Sequence, residues 1–119
     1  MFGTNNEFRF PDSGGTNRTL AFSPDVTDSD WHHLAVTMDF ATNTVKVFLD
    51  GVLNATTTSY TLGSASGIGD IIIGDLRPGG QHQEGAVACV KLYQATLSDN
   101  EIKQIYNADY RLIRGLDNE

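Results

Sequence analysis

Residues 31–56 read Trp31-His32-His33-Leu34-Ala35-Val36-Thr37-Met38-Asp39-Phe40-Ala41-Thr42-Asn43-Thr44-Val45-Lys46-Val47-Phe48-Leu49-Asp50-Gly51-Val52-Leu53-Asn54-Ala55-Thr56. Side chains alternate across a strand with a period of two. His32, Leu34, Val36 and Met38 therefore share one face, and Trp31, His33, Ala35, Thr37 and Asp39 the other. After the polar-leaning reversal at Phe40-Ala41-Thr42-Asn43, Val45, Val47 and Leu49 face one way and Lys46, Phe48 and Asp50 the opposite way. Asp50-Gly51 is a two-residue hairpin signal, because a type I′ turn needs positive φ at both positions. The stretch is expected to be a three-strand antiparallel meander.

Outward from it, strand signals dominate. Glu7-Phe8-Arg9-Phe10 alternates and stops at the turn cluster Pro11-Asp12-Ser13-Gly14-Gly15. Residues 18–22 form a second short strand closed by Ser23-Pro24-Asp25, so the two make a hairpin. Residues 57–69 are Thr-, Ser- and Gly-rich and predict a surface loop, and 70–73 a buried strand. Residues 74–85, with Pro78, Gly79 and Gly80, predict an exposed loop. Residues 86–93 predict a further strand that buries Cys89 as an inert thiol. Ser98 with Glu101 three residues later has capping-box spacing, and Ile102, Ile105 and Tyr106 follow helical spacing, so a short helix is expected over about 99–108. Short strands separated by turns, with one helix, predict an all-β antiparallel sandwich. Its expected extent is residues 1–108, followed by a charged C-terminal tail, 109–119.

Composition narrows the function. The chain has 119 residues, enough for one domain with a real core. Its net charge of −7 repels phosphate backbones and argues against nucleic-acid binding. No apolar run approaches the roughly 20 residues that span a bilayer, so membrane insertion is not expected. Cys89 is the single cysteine, which excludes an intrachain disulfide. Asn17-Arg18-Thr19 and Asn54-Ala55-Thr56 are N-glycosylation sequons, relevant only to a chain secreted from a eukaryotic cell.

Five segments carry a family resemblance. Residues 31–37 resemble the W-H-H-[VL]-A-V-T strand of laminin-G-like domains of the concanavalin A-like lectin/glucanase superfamily. Residues 44–52 resemble the N-T-V-K-x-Y-V-D-G hairpin of that family, and Ile72-Ile73-Gly74 its I-G-G strand end. Residues 85–93 resemble G-x-I-D-E-V-R-I-Y, and residues 95–107 the closing A-L-S-x-x-E-I-x-x-L-Y-N helix. The resemblance implies a concanavalin A-like jelly roll, here shortened at the N-terminus, because members carry several strands before the matched part. A second copy completing the sheet is one way to supply them, since an unpaired strand edge recruits partners. The acid pair of I-D-E-V is Ala88-Cys89 here, a departure that bears on inherited calcium binding.

No catalytic constellation appears. Glycosidase chemistry needs two carboxylates flanking the scissile bond. The family's E-x-D-x-x-E strand is absent, and none of Glu7, Glu84, Glu101 and Glu119 begins such a pattern. The chain is not expected to be an enzyme. His32 and His33 are adjacent on a strand and point to opposite faces, which favours structural roles over joint metal chelation. Sugar recognition pairs an aromatic face with amide and carboxylate side chains. Tyr60 supplies the aromatic, and Asp75, Arg77, Gln81, His82 and Gln83 the polar groups, which makes these the candidate ligand-binding residues. Calcium wants six to eight oxygens. Asp70, Asp75 and Glu84 are the candidate ligands for Ca2+, against the alternative of a solvated acidic loop. The expected function is a lectin-like recognition module for a glycan or a protein surface, in an extracellular, cell-surface or virion-associated protein. The alternatives are a structural or oligomerisation module, as in phage or virion assembly, and an accessory domain of a carbohydrate-active enzyme.

Overall fold

Residues 34–57 pair as the expected three-strand meander, with residues 31–33 outside its first strand. The computed structural model describes residues 7–23, 30–63, 75–76, 81–82 and 86–117. Strands β1 (Glu7–Pro11) and β2 (Asn17–Ala21) form an antiparallel hairpin with Phe10 opposite Arg18. Strands β3 (Leu34–Asp39), β4 (Thr44–Leu49) and β5 (Val52–Thr57) form the antiparallel meander in the order β3-β4-β5. Asp50 and Gly51 turn β4 into β5 with φ of 52° and 79°, both in the left-handed region that a type I′ turn requires.

The β4–β5 register slips at Val47/Phe48: Val47 faces Ala55 while Phe48 faces Leu53. Asn54 is therefore the extra residue of a β-bulge, a device that re-aims a side chain. Its amide meets the end of β2. Ser23 N–H donates to Asn54 Oδ1 at 2.9 Å, and Asn54 Nδ2 donates to the Ser23 carbonyl.

One core lies between hairpin and meander. Phe10, Val45 and Leu62 are buried there, with Phe8, Leu20, Val36, Met38 and Tyr60 packed around them. The Phe8 and Phe10 rings stack with centroids 5.8 Å apart. The other meander face carries helix α1 (Asp99–Asp117). Lys46 Nζ meets Asp99 Oδ1 at 2.9 Å, and the Tyr106 ring packs edge-on to His33 at 5.7 Å. Phe48 shares the face of Lys46 and is 0% exposed, as is Val47 on the face toward the hairpin. Strand β4 is thus covered on both sides. The architecture is the expected small β-sandwich with a C-terminal helix.

Four expectations are corrected. The helix runs to Asp117, well past residue 108. Asp109 explains the continuation: its carboxylate takes Lys91 Nζ at 2.7 Å and lies 3.5 Å from His33 Nε2, which fixes the turn beyond the expected end. Residues 86–93 form no strand. They find no ladder partner among the described residues, and strand propensity expresses itself only on a paired, half-buried surface. Cys89 is consequently exposed, not buried. Within the stretch expected to be a loop, 74–85, β6 (Asp75–Leu76) pairs with β7 (Gln81–His82) in a two-rung hairpin. The expected strand 70–73 lies outside the described residues.

Candidate functional site

The hairpin turn is built around one carboxylate. Asp12 Oδ1 accepts the N–H groups of Gly14 and Thr16, each at 2.9 Å, and Asp12 Oδ2 accepts Arg18 Nε at 2.7 Å. Gly15, at φ 81°, closes the turn with its N–H on the Asp12 carbonyl. The Arg18 bond first, then the Thr16 and Gly14 amides, hold the Asp12 carboxyl below the ordinary carboxylate range. The turn is tied to the chain after β5. Asp12 bridges Leu62, Ser13 N–H donates to the Thr61 carbonyl at 2.8 Å, and Leu62 N–H donates to Asn43 Oδ1 at 2.9 Å.

This tie brings Tyr60 to the hairpin. Its ring meets Phe10 edge-on at 6.0 Å, and the Arg18 guanidinium lies over it with Cζ 4.9 Å from the ring centroid. Such a cation–π contact fixes the plane of the guanidinium. Arg18 and Tyr60 are half-buried, and the Arg18 side chain retains 37% exposure. Nε is committed to Asp12, while the two terminal nitrogens bond to no side chain among the described residues. A planar, oriented set of donors beside an aromatic ring suits hydroxyl pairs or a carboxylate.

Tyr60 is thus the one expected ligand residue whose side-chain surroundings are described. Asp75, Gln81 and His82 fall on the β6–β7 hairpin, with Asp75 directly opposite His82. Arg77, Gln83, Asp70 and Glu84 lie outside the described residues. No cluster of three metal-ligating side chains occurs among the described residues. Arg18 and Asp12 went unnoticed in the sequence, although a signal was there. Arg18 shares the inward face of the hairpin with Phe8, Phe10 and Leu20, and an arginine on an apolar face calls for a carboxylate and an aromatic partner.

The side chains of the two adjacent histidines take different partners, Asp50 for His32, and Asp109 and Tyr106 for His33. His32 Nδ1 lies 2.9 Å from Asp50 Oδ2, His33 N–H donates to Asp50 Oδ1 at 2.9 Å, and Asp50 N–H donates to the His33 carbonyl at 2.8 Å. Val87, Val90, Leu92 and Tyr93 are each at least half exposed. A shallow groove of about 290 Å³ runs between Tyr93, Leu97, Ile105 and Ala108.

The fold is that of a small antiparallel β-sandwich. Residues 1–103 match the laminin G family described as the concanavalin A-like lectin/glucanases superfamily, and the chain belongs to that family. Domains of this family are in general lectin-like or adhesion-type modules and are usually non-catalytic. No curated protein sequence matches the chain. Among solved structures, it is similar to residues 221–444 of an S-layer domain-containing protein from Clostridium thermocellum, at 19% identity and a TM-score of 0.51. That match covers 89% of this chain and 65% of the solved chain, so this chain spans just under two thirds of its length.

Proposed function

We propose that this chain is a non-catalytic recognition module that binds a glycan or a protein surface in an extracellular or cell-surface setting. The observation that carries this reading is the Arg18 guanidinium laid over Tyr60, with Nε committed to Asp12 and its terminal nitrogens bonded to no side chain among the described residues. The family's general character and the S-layer setting of the structural neighbour support the compartment. We further propose the polar residues Asp75, Arg77, Gln81, His82 and Gln83 as ligand contacts.

A glycan array probed with the purified chain tests the reading. Arg18→Lys keeps the charge but loses the planar fork, and Tyr60→Leu keeps apolar bulk but loses the ring face. Each is expected to lower binding at least about tenfold with an unchanged circular dichroism spectrum. Binding that both variants retain in full would remove this corner from the site. Running the array with chelator and with added calcium decides the proposed Ca2+ site at Asp70, Asp75 and Glu84, through loss and recovery of binding. No β-glucan cleavage is expected, and reducing-sugar release would overturn the non-catalytic reading.

A further inference from the structure

We propose that Asn17 is the residue of this chain that carries an N-linked glycan in folded protein from a glycosylating secretory pathway, and that a glycan on Asn54 is incompatible with the same fold. Both asparagines begin an N-x-Thr sequon, so sequence alone ranks them equally. The structure separates them.

Asn17 and Thr19 are exposed and share the outward face of β2, while Arg18 between them turns inward to Asp12 and Tyr60. Neither the Asn17 amide nor the Thr19 hydroxyl bonds to another group among the described residues. Beside them runs a shallow groove of about 240 Å³, lined by Arg9, Phe10, Pro11, Asn17 and Thr19, with room for a first sugar.

Asn54 is committed at both ends of its amide. As the bulge residue of β5, it accepts the Ser23 N–H on Oδ1 and donates from Nδ2 to the carbonyl of the same serine. This paired arrangement uses the Nδ2 hydrogen on the same side as Oδ1. A glycosylated asparagine is a secondary amide and keeps the trans form, which puts the sugar carbon at that hydrogen's place. Glycan and Ser23 pair therefore exclude each other. Thr56 is also engaged, with Oγ1 donating to the Val45 carbonyl at 3.3 Å.

The transfer at Asn17 balances without further reactants. Its Nδ2 bonds to the anomeric carbon of an oligosaccharide carried on a polyprenyl diphosphate. The carbon–oxygen bond to the diphosphate breaks, and the diphosphate leaves with that electron pair and takes up the proton the amide loses.

The test expresses the 119-residue chain behind a cleavable secretion signal in a eukaryotic cell line. Secreted, folded protein is digested, and each sequon peptide is weighed before and after endoglycosidase. Thr19→Ala and Thr56→Ala remove one sequon each without touching either asparagine. Wild type and Thr56→Ala are expected to carry one glycan, on Asn17, and Thr19→Ala none. A glycan on Asn54 of the secreted, folded chain overturns the proposal, and so does a bare Asn17 in wild type. Because the peptides of wild type are read directly, the result stands even if a variant fails to fold.

Discussion

Gly51 meets two constraints at once. Its φ is 79°, and a Cβ built there would stand 2.5 Å from Tyr106 Cδ1. Glycine answers both, because it has no Cβ penalty in the left-handed region and leaves room for the ring. Asp50 before it tolerates φ 52° because its carboxylate is held by His32 and by the His33 amide. Gly51→Ala is expected to destabilise by about 1–3 kcal/mol, seen as a lower urea midpoint with an unchanged slope. Asp12 answers to pH. Its folded carboxyl lies below the ordinary value of 3.8, so it favours the folded state above that value. That contribution is lost as pH falls through the lowered folded value. Asp12→Asn is expected to lower the urea midpoint near neutrality and to flatten its decline below pH 3.8.

The helix illustrates what local sequence dictates and where it stops. Ser98 Oγ accepts the Glu101 N–H at 3.2 Å, and Glu101 Oε1 accepts the Ser98 N–H at 3.1 Å, the reciprocal capping box its spacing predicted. The Ser98 bonds hold the Glu101 carboxyl below its ordinary range. Ser98→Ala is expected to cost about 1 kcal/mol, measured by urea denaturation followed at the far-UV helix signal. The start of α1 was legible because a cap is made by neighbours. Its end was not, because Asp109 is held by Lys91 and His33, which only the fold brings near. The meander was legible for the same local reason, in its alternation and its Asp50-Gly51 turn. Phe48 marks a limit within it. Alternation places it opposite Val47, but nothing in β4 announces that α1 covers that second face. The expected strand 86–93 failed in the opposite direction, since an apolar stretch was present and a partner among the described residues was not.

At the scale of the whole molecule, β4 is the layer shared by two packings. The hairpin covers one of its faces and α1 the other. Exposed ion pairs such as Lys46–Asp99 contribute little, at most about 1 kcal/mol. The buried side chains, Ile102 among them, supply the main hold on the helix. The proposed binding corner was the least legible part of the chain. Tyr60 was visible as an aromatic in a polar loop, whereas its pairing with Arg18 depends on the bridge between Asp12 and Leu62.

That bridge also bears on the order in which the chain assembles. The meander closes through short turns, while joining Asp12 to Leu62 must shut a long loop before any contact repays its entropy. Early meander formation and late hairpin docking follow. In stopped-flow experiments, Leu62→Ala is expected mainly to accelerate unfolding, and Val47→Ala mainly to slow folding. The surface around Arg18 and Tyr60 would then be the last part of the molecule to form and the first to open.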